Sequence, residues 1–158
     1  MANDRAGFNS TATFTPAAAA YSANDVMSTA KEFQNIGPIV GGYIVITSAS
    51  LLISETALQA SEATYRLHLY NVTPPSAHAD NDAWDLPSGD RASYLGFIEL
   101  GTPVDLGSSL YVESNIINKQ IKVPGAAGGG SIWGELVTIA GFTATATARK
   151  VTLNSVSL

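Results

Sequence analysis

The stretch Ala63-Thr64-Tyr65-Arg66-Leu67-His68-Leu69-Tyr70-Asn71-Val72 decides the fold. Tyr65, Leu67 and Leu69 fall on one parity, and Thr64, Arg66, His68 and Tyr70 on the other. That is the period of two in which successive side chains of a pleated strand take opposite faces. The run stops at Pro74-Pro75, which cannot donate to a ladder. On this pattern the strand is half-buried, with His68 on its water-facing side.

The same period continues on both sides. Toward the N-terminus, Phe8, Ala12 and Phe14 alternate with Asn9, Thr11, Thr13 and Thr15, and the apolar run from Tyr43 to Ile53 reads as a buried strand. Ala17 to Ala20, between Pro16 and Tyr21-Ser22-Ala23-Asn24-Asp25, reads as a linker or single turn. Toward the C-terminus, strands are expected over Tyr94 to Leu100, Leu110 to Val123, Ile132 to Ile139 and Ala144 to Val156. The parity changes near Ser114 to Asn118, which requires a bulge or turn. Gly125 to Gly130 is expected to be a hairpin connection. Residues 74–90 form the longest non-strand segment, with room for a short helix or two.

Eight or nine strands at this spacing, with no long amphipathic helix between them, predict an all-β antiparallel sandwich of the jelly-roll kind. Residues 1–20 are an N-terminal strand or arm, and 21–158 a single β-sandwich domain.

Composition narrows the function classes. Charged residues make up 13% of the 158, about half the usual share, and the net charge of −5 opposes binding to phosphate backbones. Nucleic acid is therefore not an expected partner. Cysteine is absent, which excludes disulfides, thiolate metal sites and cysteine nucleophiles. Met1-Ala2-Asn3-Asp4-Arg5 does not read as a signal peptide, and the apolar run at 43–53 is too short to span a bilayer, so no membrane partner is expected.

Candidate chemistry is sparse. His78 lies beside Asp80 and is expected to be a solvated loop residue. Asp80, Asp82 and Asp85 lack the spacing of a calcium loop and suit helix capping instead, so no metal or cofactor is expected. Glu55, Glu62, Glu99, Glu113 and Glu135 lie in or near strands, where single carboxylates on polar faces are expected to be solvated; a glycosidase pair is the other reading. Gly125 to Gly130 has no phosphate-loop lysine, and no serine sits in a nucleophile elbow. The chain is thus expected to have no catalytic residue. Trp84, Trp133, Tyr65 and Tyr111 are candidates for a sugar platform, with Trp133 also fitting a core or interface position.

The segments Tyr21 to Val26, Tyr65 to Tyr70 ending in Pro74-Pro75-Ser76, Asp80-Asn81, Trp84, Leu86 and Asp90-Arg91 leading into Tyr94-Leu95-Gly96 resemble small structural proteins of tailed bacteriophages. Leu110-Tyr111-Val112, Lys119-Gln120-Ile121, Ile132-Trp133-Gly134 and Leu136-Val137 continue the resemblance, which runs from about Tyr21 to Leu153 in pattern. It implies a head decoration or cement protein: a β-sandwich or jelly roll made in the host cytoplasm and seated on the virion. The partners implied are the major capsid protein and further copies of the chain, as a homotrimer, with no catalytic residue to carry over. Phe8, Phe14, Trp84 and Trp133 are the expected contact residues. A carbohydrate-binding sandwich, or another virion part such as a tail or fibre component, is the alternative.

Overall fold

A computed structural model describes residues 6–125 and 129–158, and among them the regular structure is entirely β. The strands are β1 (Gly7–Phe14), β2 (Ala20–Tyr21), β3 (Lys31–Phe33), β4 (Gly42–Ile53), β5 (Tyr65–Tyr70) and β6 (Tyr94–Gly101). They continue as β7 (Val104–Asp105), β8 (Leu110–Ser114), β9 (Lys119–Val123), β10 (Ile132–Thr138), β11 (Phe142–Thr143) and β12 (Arg149–Ser157).

These strands form a six-stranded sheet in the order β1-β12-β4-β8-β7, with β9 also on β4, and a four-stranded sheet in the order β3-β10-β5-β6. Every pairing is antiparallel. Because β8 and β9 both pair with β4, they act as one bent strand. The first sheet then interleaves β1 and β12 with β4 and the bent β8–β9, the second sheet holds β3, β10, β5 and β6, and β2 pairs with β11 in a separate two-stranded ladder. That interleaving is the double Greek key of a jelly roll.

The parity of the sequence sets the core. Ala12 and Phe14 of β1, Ile44, Ile46, Leu51 and Ile53 of β4, and Val151 and Leu153 of β12 point inward from the first sheet. They meet Phe33, Leu67, Leu69, Ile98, Leu100, Ile132 and Leu136 from the second. Gly134 of β10 leaves room for the side chains of its two neighbouring strands: a Cβ there would come within 2.8 Å of the Phe33 ring and 3.0 Å of Leu67. The expected irregularity near Ser114 to Asn118 is the break in this bent strand between β8 and β9, and Asn118 takes the left-handed conformation there with φ 47.

Two expectations are corrected, and of strand and arm at the N-terminus the strand is found over 7–14. Residues 74–90 contain no helix among the described residues, so Asp80 and Asp82 cap none. Of the glycine-rich stretch, residues 126–128 lie outside the described residues; the flanking strands β9 and β10 belong to different sheets, so it connects the layers and is not a hairpin. Residues 7–14 are paired along their whole length with β12, and Phe14 is fully buried against Phe33 with ring centroids 6.4 Å apart, which makes this segment part of the sandwich.

Candidate interaction surface

The outer face of the six-stranded sheet is built from the other parity of β1, β12, β4 and β8. Register places Asn9, Asn154 and Ser48 in one cross-strand row, and Thr11, Thr152, Ser50 and Glu113 in the next. A third row runs Thr13, Lys150, Leu52, Tyr111 and Val104. Beyond a register shift between Asn154 and Ser155, the face continues through Val156 and Val45.

These rows are internally bonded. Asn9 Nδ2 donates to Asn154 Oδ1 at 2.7 Å, and Asn154 Nδ2 donates to Ser48 Oγ at 2.9 Å. The Thr11 and Thr152 hydroxyls are 2.8 Å apart. Lys150 and Glu113 are the charges in the three rows, and Leu52 and Val104 are 38% and 56% exposed at one end. Covering such a surface strands few donors and strips water from few ions, so its desolvation cost is low.

The outer face of the four-stranded sheet is covered around His68, Tyr70 and Glu135, while Phe97 and Glu99 of β6 stay exposed. Residues 71–93 leave β5, cross that face and return to β6. The segment is anchored at its far side: Val26 N–H donates to Asp82 O, and Trp84 N–H donates to Asn24 O at 2.9 Å. Met27 N–H in turn donates to Leu136 O of β10 at 2.8 Å. Asp80 clamps the N-terminal connection, accepting from Ala17 N–H at 2.8 Å, Ser28 N–H at 2.7 Å and Tyr21 Oη at 2.8 Å. Burial, with the Asp80 hydrogen bond and charge, pushes the Tyr21 phenol up.

Under this cover lies a polar network around Glu135. Its carboxylate accepts from Tyr70 Oη at 3.0 Å and Trp84 Nε1 at 3.1 Å, and His78 Nδ1 is 3.0 Å away. His78 Nε2 reaches Asp85 Oδ1 at 3.1 Å. Burial alone would push His78 down, but its hydrogen bonds to Asp85 and Glu135, with their charges, outweigh this and hold the imidazole above its ordinary value. His68 is stacked on Trp84 at 3.6 Å, with Nδ1 2.8 Å from Tyr94 Oη. Burial, then the positive charges of Arg66 and His78, lower its pKa to about 3. Both histidines and Glu135 are therefore buried, against the expectation of solvated side chains. The second, covered face explains it, since strand parity reports burial only when one face meets water.

Glu55 and Glu62 are also buried, and each lies 3.7 Å from Arg149 Nη2. Arg149 Nε donates to Tyr65 Oη at 3.2 Å, the Tyr65 hydroxyl donates to Glu62, and Gln59 Nε2 donates to Glu55 at 3.0 Å. Glu99 and Glu113 are exposed, Glu99 bonded to Arg66 Nε at 2.8 Å. One signal could have found the cluster: Arg149 shares parity with Val151 and Leu153, and a guanidinium on an inward parity demands carboxylates.

The expected contact residues are scattered. Phe14 is core, and Trp84 is half-buried with its indole N–H committed to Glu135; neither offers a free contact. Phe8 is half-buried on edge strand β1. Trp133 lines a groove of about 440 Å³ with Glu32, Asn71, Val72, Thr73, Pro124, Gly125 and Ser131. Of the sugar-platform candidates, Tyr65 is fully buried and Tyr111 Oη donates to Glu113 at 2.8 Å, which leaves Trp133. Among the described residues, no group of three His, Asp or Glu side chains is placed to hold a metal ion.

No family model matches the chain, and no curated protein matches it. Among solved structures it is similar to a chain of tobacco necrosis virus, at 8% identity and TM-score 0.37 over 98% of this chain and 96% of that one. It is similar to cocksfoot mottle virus at 6% identity and TM-score 0.34, over 96% and 95% of the two chains. It is similar to sacbrood virus of honeybee at 6% identity and TM-score 0.37, over 98% and 72%. Likeness this loose bears on neither fold nor function, and the jelly-roll assignment rests on this chain's own strand order and register.

Proposed function

We propose that the chain is a non-enzymatic structural protein of a virion: a decoration or cement subunit made in the host cytoplasm and seated on the major capsid protein of a tailed-phage head. Fold alone does not choose this, because jelly rolls serve in viral shells and lectins alike. The observation that carries it is the outer face of the six-stranded sheet, whose bonded Asn, Thr and Ser rows hold little charge and end in exposed Leu52 and Val104. A surface of this kind is inexpensive to desolvate against a neighbouring subunit. The ionisable groups that could perform chemistry are instead spent on internal structure, around Glu135 and Arg149.

Purified protein mixed with undecorated heads should co-sediment with them. The pair Thr13→Asp and Leu52→Asp, which sets carboxylates on that face on either side of Lys150, should abolish co-sedimentation while the melting curve still shows a folded protein. Wild-type protein that stays in the supernatant, and is absent from purified particles by mass spectrometry, would remove the reading.

A carbohydrate-binding role is the second reading, and the groove at Trp133 favours it. An indole face beside Glu32, Asn71, Thr73 and Ser131 can stack on a sugar ring and bond its hydroxyls. Retardation on a polysaccharide column that Trp133→Ala abolishes would establish it.

A further inference from the structure

Sheet edges present unpaired N–H and C=O groups, and proteins that remain single protect them with short strands, charges, prolines or bulges. Four edges of this sandwich carry such devices. Strand β7 has two residues, one of them Asp105, and β9 carries Lys119 and Lys122. Strand β3 has three residues, with Lys31 and Glu32. Strand β6 is broken by register shifts, with Gly96 at φ +90 and Gly101 at φ +92, and Lys119 Nζ sits close over Gly96.

Strand β1 has none of them. Gly7-Phe8-Asn9-Ser10-Thr11-Ala12-Thr13-Phe14 is eight residues long, uncharged and free of proline, and it pairs with β12 without a register shift. Among the described residues its backbone has no partner on the other side. We propose that this edge is a dimerisation surface, on which β1 of a second copy pairs antiparallel about a two-fold axis at Thr11.

The occupant follows from the strand itself. A two-fold axis sets a strand antiparallel to its own copy, the closed isologous arrangement. Period-two alternation demands that outward residues meet outward residues, since a slip of one would turn Thr11 against Ala12. An axis at Thr11 pairs Thr11 with Thr11 of the second copy and Asn9 with Thr13, which extends the bonded Thr11–Thr152 row across the junction. It also brings Phe8, half-buried at this edge, opposite Phe14 of the second copy. No charge meets a like charge along the strand. The result is a dimer, in place of the three-fold association that the phage resemblance implies. It stands apart from the docking reading: a dimer that ignores heads keeps the edge and loses the docking, and a monomer that binds heads does the reverse.

Light scattering of the full chain over a concentration series should give twice the chain mass. The pair Thr11→Lys and Thr13→Lys, at exposed positions, should weaken association by about tenfold or more through like charges across the axis. Should that variant unfold, single cysteines in this cysteine-free chain decide the matter. Thr11→Cys should cross-link copy to copy on oxidation, and Ser108→Cys, on an exposed turn, should not. A monomer at every concentration, a mass of three chains, a dimer indifferent to the two lysines in a folded protein, or equal cross-linking at both cysteines would overturn the proposal.

Discussion

Both sheets have an outer face, and the two are finished in opposite ways. The six-stranded sheet leaves its face to water, lined by short uncharged side chains bonded to one another. The four-stranded sheet draws residues 71–93 across its face and fastens them through Glu135, His78 and Trp84. Polar atoms near water can exchange a lost partner for solvent, and those under the cover cannot. The same chemical groups are therefore nearly neutral to stability on one face and costly to alter on the other.

The largest expected effect tests that asymmetry directly. Replacing Glu135 with Leu leaves Tyr70 Oη, Trp84 Nε1 and His78 without their common acceptor, and should cost about 3 kcal/mol in urea unfolding. Glu135→Gln, which keeps an acceptor, should cost less. A loss under about 0.5 kcal/mol for Glu135→Leu, the surface level, would erase the contrast between the faces.

The pH dependence sharpens the contrast next. His68, held at about 3, refuses a proton that the unfolded chain accepts below its ordinary value of 6.5. Stability present above pH 6.5 should fall on acidification by about 1.4 kcal/mol per pH unit toward pH 3. His78 has the opposite sign. Its folded pKa is raised, so its contribution is complete below 6.5 and is lost as pH climbs through the raised value. Stability should peak near neutrality. In unfolding curves across pH, His68→Phe should flatten the acid limb relative to wild type, and His78→Gln the alkaline one. Parallel profiles for wild type and both variants would show that the cover does not seal these rings.

Trp84→Phe keeps an aromatic ring over His68 but loses the indole donor, for an expected cost of about 1 kcal/mol. Faster amide exchange in 74–90 should accompany it. The smallest effect belongs to the open face. Thr152→Ala should stay within about 0.5 kcal/mol of wild type by denaturant unfolding.

How much of this was legible depended on which face a residue occupies. The inward parity of β1 and the change of phase at Ser114 to Asn118 follow from local alternation, because one side of each strand meets the core and the other meets water. His68 sits in an equally clear strand and was misplaced, because its outward side is covered by a segment whose course no local pattern reveals. His78 and Glu135 are 57 residues apart, and Asp80 reaches back 63 residues to Ala17. Partnerships of that span arise from topology and not from spacing. Arg149 is the exception: its parity announced a buried charge, although not that Glu55 and Glu62 would answer it.

The placement of β12 between β1 and β4 also sets the order in which the protein can come into being. Thr11 finds its hydroxyl partner in Thr152, 141 residues further on. A ribosome must therefore deliver residues 149–157 before β1 can join the six-stranded sheet, although β4 can already pair with β8 and β9. Closure over such distances spends chain entropy before any contact repays it, which places folding in the millisecond-to-second range typical of sandwiches. The first of the described strands to be made is thus among the last to be seated in its sheet.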